Sequence, residues 1–116
     1  MSKIAVLISE PANTTELIAR LRKITQAGYS EIAQRLKQER PVGEWVLFEN
    51  DHDDVAALLR QLLRLHAERA AKLRFFELRD DETFDLNKSQ RFEISAETLS
   101  NILHTHDEQR RKLEEG

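Results

Sequence analysis

Apolar positions in this chain fall into short continuous blocks and into longer stretches that repeat every three or four residues, and their order predicts its elements. Ile4, Ala5, Val6, Leu7 and Ile8 form an unbroken block bounded by Glu10 and Pro11. A block so short and so continuous predicts a strand over 3–9 that is buried on both faces, and therefore central. Leu17, Ile18, Leu21 and Ile24 follow at helical spacing and predict a helix over 14–26, with Asn13 and Glu16 as its capping pair and Gly28 as its stop. Ser30 can cap a second helix whose apolar face is Ile32, Ala33 and Leu36. Pro41 ends it, because proline disfavours helical geometry in the residue before it. The two form a helix hairpin.

Trp45, Val46, Leu47 and Phe48 are β-branched, aromatic or aliphatic in a run too short for a helix, and predict a second strand over 42–48. Val55, Leu58, Leu59, Leu62, Leu63 and Leu65 then predict a third helix over 52–71, with Arg60, Arg64 and Arg69 on its wet face. Leu73, Phe75, Phe76 and Leu78 predict a third strand. Its outer neighbour comes either from Thr83 and Phe84 or from residues 91–94, with 85–90 as an exposed loop. Ser95 caps a last helix marked by Leu99, Ile102, Leu103, His106 and Leu113. The sum is one α+β domain over 1–116: a small mixed sheet packed by the hairpin, a long third helix and a C-terminal helix, with helices on one or both faces. Trp45 and Phe48 are expected in its core.

Composition narrows the function. Among 116 residues there is no cysteine, which removes disulfide frameworks, thiolate zinc sites and thiol nucleophiles together. Three glycines and two prolines are too few for a many-stranded sandwich, and 34% charged residues imply long solvated helix faces. The longest apolar run falls far short of the ~20 residues of a membrane span, and is too short for the ~7 to 15 residue core of a secretion signal. No membrane association and a cytoplasmic location are expected. Residues 1–50 hold seven Lys/Arg against six Asp/Glu and residues 51–116 eleven against fifteen, so neither half has the basic face that nucleic acid requires.

Two acidic runs are the main candidate chemistry. Glu49, Asp51, Asp53 and Asp54 surround His52, but a calcium loop needs a glycine at its sharp turn and a distal bidentate glutamate, whereas Asp54 leads directly into Val55, Ala56 and Ala57 of a helix. Asn50 or Asp51 is the expected cap there, with Asp53 and Asp54 facing the partial positive charge of the helix start. Glu77, Asp80, Asp81, Glu82 and Asp85 form the second run, broken among charges only by Arg79. His104 and His106 are two apart and cannot share a zinc ion on a helix, His66 lacks an HExxH frame, and no serine sits in a GxSxG elbow. The expectation is a non-enzymatic chain without metal or cofactor, monomeric or weakly dimeric.

Ile18, Arg22, Thr25, Gly28 and Glu31 match the pattern I-x-x-x-R-x-x-T-x-x-G-x-x-E and resemble the C-terminal domain of the bacterial ribosomal stalk protein. That family's order, strand, helix hairpin, strand, helix, strand, agrees with the elements read above over residues 1–79. The resemblance implies a hairpin that contacts translation factors through a basic and apolar surface, here at Ile18, Arg22 and Gly28. Ala19 and Ala33 stand where the family commonly has lysines, Tyr29 replaces its leucine, and residues 80–116 have no counterpart. Residues 91–103, RFEISAETLSNIL, are similar instead to the ends of small bacterial immunity proteins. This second likeness implies a protein-binding module that neutralises a toxin, its partner a basic toxin domain met by Glu49, Asp51, Asp53, Asp54, Asp80, Asp81, Glu82 and Asp85. A ribosome-associated or translation-factor adaptor using the hairpin is the alternative.

Overall fold

The computed structural model describes residues 2–11, 14–47, 49, 51–68 and 71–115, with the side chains of 10, 11, 14, 110 and 113–115 outside that description. Asn13, Phe48, Asn50, Arg69 and the side chain of Leu113, to which the sequence assigned caps, core or helix faces, therefore lie outside the described residues. The elements are β1 (Ser2–Pro11), α1 (Thr14–Thr25), α2 (Tyr29–Lys37), β2 (Gly43–Val46), α3 (His52–Ala67), β3 (Ala71–Arg79), a 3-10 turn (Ser89–Phe92), β4 (Glu93–Ile94) and α4 (Ala96–Glu115). The fold is α+β. Its four strands are ordered β2-β1-β3-β4, and every neighbouring pair is antiparallel.

The expected mixed sheet is thus corrected to an antiparallel one, and the connections explain why. Two helices between β1 and β2 make three reversals of the chain, so β2 runs against β1, with Val6 opposite Gly43 and Lys3 opposite Val46. One helix between β2 and β3 makes those two strands co-directional. They would pair in parallel if adjacent, but β1 lies between them, with Ser2 opposite Arg79 and Leu73 opposite Ile8.

Strand alternation divides the core in two. Ile4, Val6 and Ile8, with Leu73 and Phe75, face a cluster that draws Leu17, Ile18 and Leu21 from α1, Ile32 from α2, Leu59, Leu62 and Leu65 from α3, and Leu99 and Leu103 from α4. All four helices therefore pack on one face. Ala5, Leu7, Phe76 and Leu78 point the other way and are covered by Phe84, Leu86 and Phe92, so residues 80–92 cross the second face as a strap. The Phe84 ring stands edge-on to Phe76 at 5.0 Å, an arrangement that aromatic quadrupoles favour.

Helix ends depart from the expected punctuation. α1 stops at Thr25 because Gln26 turns left-handed at φ 61, its N–H still bonded to the Arg22 carbonyl at 2.8 Å. Gly28 is instead the residue before α2, in extended backbone, and Ser30 lies inside that helix. α2 ends at Lys37, ahead of Pro41, with Glu39 left-handed at φ 55. Ser95 does cap α4: its hydroxyl accepts the Thr98 N–H at 3.0 Å. Residues 93–94, rather than Thr83 and Phe84, are the outer neighbour of β3.

Trp45 is only partly buried, and its ring lies over Gly43 so closely that a Cβ there would sit 2.4 Å from the indole. Gly43→Ala should therefore expel the ring and lower stability, read as a lower urea midpoint. Leu62, fully buried among residues of the helix-side cluster, should cost about 2 to 5 kcal/mol when cut to alanine. A near-neutral change at Leu62 would remove it from the sheet-facing stripe.

Candidate functional site

β2 and β3 leave the sheet at the same end. Leu47, just past β2, donates its N–H to the Ser2 carbonyl at 2.8 Å, and Ser2 pairs across to Arg79 at the end of β3. The strands that lead into the two acidic runs therefore end on either side of the first residues of β1, two strand spacings or about 10 Å apart. Residues 47–54 contain four acids and no Lys or Arg, and residues 77–85 contain five acids and one arginine.

The first run leads into α3. Asp51 holds the N-cap position but its side chain makes no capping hydrogen bond, so the expected cap is corrected to an exposed carboxylate. Asp53 and Asp54 lie in the first turn, where the unsatisfied N–H groups favour negative charge. Glu49, Asp53 and Asp54 are exposed as well. Between them His52 turns inward, 4% exposed, and meets His106 of α4 edge-on with ring centroids 4.1 Å apart.

The second run is partly engaged by its own turn. Glu82 accepts the Arg79 N–H at 3.1 Å and pairs with the Arg79 guanidinium at 3.3 Å, while Asp81 stands 3.9 Å from the same group. Asp85 accepts the N–H groups of Asn87 and Lys88 at 2.9 and 3.2 Å, and so builds the turn that starts the 3-10 segment. Its backbone and Ser89 bond reciprocally, at 3.1 and 2.7 Å, which holds the otherwise buried Ser89. Glu82 and Asp85 thus fasten the strap, whereas Asp80 and Asp81 are exposed at its start.

The hairpin residues separate differently. Ile18 is 1% exposed and belongs to the core, so its side chain cannot serve as a contact, which corrects the alternative set. Arg22 and Gly28 are exposed. Residues 14–40 carry six Lys/Arg against three acids. Arg20 is tied to Glu68 at 2.8 Å, and Arg35 to Glu31 at 2.5 Å and to the Val42 carbonyl at 2.7 Å. Tyr29, at 48% exposure, is the large exposed apolar side chain among the described residues.

Charge pairs also fix the helices and strap around these surfaces. Arg74 binds Glu93 at 2.8 and 3.1 Å while its guanidinium covers the Phe76 ring at 5.3 Å. That hydrogen bonding holds the Glu93 carboxyl below its ordinary range. Arg60 of α3 hydrogen-bonds Asp107 of α4, which lowers the Asp107 carboxyl in turn, helped by the charges of Arg60, His52 and His106. Sequence pattern passed over the strap residues Phe84, Leu86 and Phe92 as cover, although three large apolar side chains in a polar stretch are a readable signal. It gave no sign of the His52–His106 contact, which joins residues distant in the chain.

No group of three or more His, Asp or Glu side chains among the described residues is placed to hold a metal ion, and no described helix is long and apolar enough to cross a membrane. Comparison with family models, with curated proteins and with solved structures returns no match.

Because the Asp107 carboxyl is lowered in the fold, the stability it contributes is complete above the unfolded aspartate value of about 3.9 and is lost as pH falls through the folded value. Asp107→Asn should be less stable than the parent at pH 7 by about 0.2 to 1 kcal/mol, the range for solvent-screened pairs. Urea titrations at descending pH should show the two curves converging.

Proposed function

We propose that this chain is a protein-binding module of the immunity type, which covers the active surface of a basic toxin domain and carries out no reaction itself. The observation that carries the reading is the exit of both acidic runs from one end of the sheet. The strand ends that lead into them are about 10 Å apart, comparable with the Debye length of about 8 Å at physiological ionic strength, a separation at which the fields of the two runs would overlap before a partner docks. A single-sign field of this kind raises encounter rates with a cationic surface. Asp51, Asp53, Asp54, Asp80 and Asp81 are the residues through which it would act, with Glu49 at the margin. Glu82 and Asp85 would contribute charge while holding the strap. Neutralisation inside the producing cell fits a monomeric or weakly dimeric cytoplasmic protein, without membrane or nucleic acid among its partners.

The second reading, a ribosome-associated or translation-factor adaptor, is favoured by a different surface: the excess of cations on residues 14–40 and the exposed Tyr29 next to Gly28. The succession β1, α1, α2, β2, α3, β3 supports the likeness to the stalk C-terminal domain from which that reading comes.

One experiment separates the roles. The reading frame beside this one is inspected for a large toxin, and its terminal domain is co-expressed with the parent chain or with the quadruple variant D53N/D54N/D80N/D81N. Growth rescued by the parent and lost with the variant is the expected result. Full rescue by the variant would take the acidic runs out of the mechanism, and absence of both rescue and binding by the parent would end the immunity reading. Capture of ribosomes or translation GTPases at low salt, weakened by Arg22→Glu, would favour the adaptor instead.

A further inference from the structure

The two faces of the sheet are covered by unlike means. On the helix side Leu59, Leu62, Leu99 and Leu103 are fully buried on helices that satisfy their own main chain. On the other side Ala5, Leu7, Phe76 and Leu78 are covered by Phe84, Leu86 and Phe92, each only partly buried, on a strap that has neither helix nor strand from Asp80 to Lys88. Its main-chain hydrogen bonds are local: the Glu82 N–H to the Arg79 carbonyl at 3.0 Å and the Ser89 N–H to the Asp85 carbonyl at 2.7 Å.

Side-chain ties follow the same rule. Glu82 reaches back to Arg79, Asp85 holds Asn87 and Lys88, and at the far end Arg74 holds Glu93. Both anchors, Arg79 and Arg74, are on β3. Toward β2 the strap stands off, across a cavity of ≈ 400 Å³ that Thr83, Phe84 and Leu86 line together with Glu39, Gly43 and Glu44. A segment with few buried apolar contacts and few main-chain partners opens at a fraction of the cost of global unfolding. Lifting this one gives up the packing of three partly buried side chains and leaves the ladder between β1, β2 and β3 whole.

We infer that residues 80–92 are a hinged cover: held at Arg79 and at Glu93, the strap lifts from its β2 side and bares Ala5, Leu7, Phe76 and Leu78 while the helix-side cluster stays packed. Asp80 and Asp81 begin the strap, so the face that opens adjoins the second acidic run. The inference stands on packing and hydrogen bonding alone and does not depend on the function proposed above.

The chain has no cysteine, so a single introduced thiol reports alone. Ala5 and Val6 are neighbours on β1 and both fully buried, Ala5 under the strap and Val6 under the helices. Global unfolding exposes both positions, whereas a lifted strap exposes only the first. The folded full chain is labelled with methyl methanethiosulfonate, a small neutral thiol reagent, and each rate is corrected for the global stability of its variant from urea curves. Ala5→Cys should label about 100-fold or more faster than Val6→Cys, with a shallower urea dependence because less surface is exposed. Leu7→Cys, on the same face, takes the place of Ala5→Cys if that variant does not fold. Adding Asp85→Ala, which removes the acceptor that builds the strap's turn, should speed labelling under the strap and leave Val6→Cys unchanged after correction. Equal corrected rates on the two faces, both with the urea dependence of global unfolding, would overturn the inference, and so would a rate under the strap that Asp85→Ala does not change.

Discussion

A strand that is apolar at five consecutive positions must be covered on both sides, and Ile4 to Ile8 of β1 impose that constraint on the whole molecule. Ile4, Val6 and Ile8 require one apolar cover, Ala5 and Leu7 another. Each large side chain left in water would forfeit about 1.5 to 3 kcal/mol. Four helices meet the first requirement. The second is met without a helix, by a strap only 13 residues long that places Phe84, Leu86 and Phe92 against the sheet. Such a segment has few backbone partners of its own, which is why polar side chains do the fastening: Glu82 on the end of β3, Asp85 and Ser89 on each other, Arg74 on Glu93.

The same constraint locates the charge. A central β1 forces β2 and β3 to flank it, and their shared direction sends both chains out beside Ser2. Acidic residues tens of positions apart in sequence thereby come to one end. They are tolerated there for local reasons as well, since the start of α3 favours Asp53 and Asp54 and the strap uses Glu82 and Asp85. Local stabilisation and a field directed at a partner are therefore not competing explanations of these residues. What distinguishes them is which carboxylates build a turn by accepting its N–H groups, as Asp85 does from Asn87 and Lys88.

Legibility in the sequence followed the range of each interaction. The continuous block at 4–8 revealed a two-sided strand, and the stripes of α1, α3 and α4 revealed their buried faces, because both signals are local. Ser95 was readable as a cap for the same reason. Gly28 misled because glycine is the usual left-handed stop, whereas here Gln26 takes that conformation first. The mixed sheet misled because one-helix connections commonly join parallel neighbours, and nothing in the pattern says that an earlier strand has been placed between them. Ile18 illustrates the cost of reading surface from a motif: its place in the stalk-like pattern and its place in the apolar stripe of α1 pointed in opposite directions, and the stripe decided.

Burial and charge together also settle how the C-terminal segment relates to the rest. Leu99 and Leu103 join the same cluster as Leu59, Leu62 and Leu65, and Arg60 with Asp107 continues the α3–α4 contact to the solvent edge. His52 extends it to the acidic end, since its ring meets His106 while its neighbours Asp51 and Asp53 face water. α4 is thus joined to the helix that begins at the first acidic run, and the strap is joined to the strand that ends at the second. Residues 80–116 are consequently not an appendage to a smaller domain. Without them β1 would lose the cover of Ala5 and Leu7, β3 its outer neighbour, and α3 its partner, so the segment with no counterpart in the stalk-like pattern is a condition for this sheet to be buried on both faces.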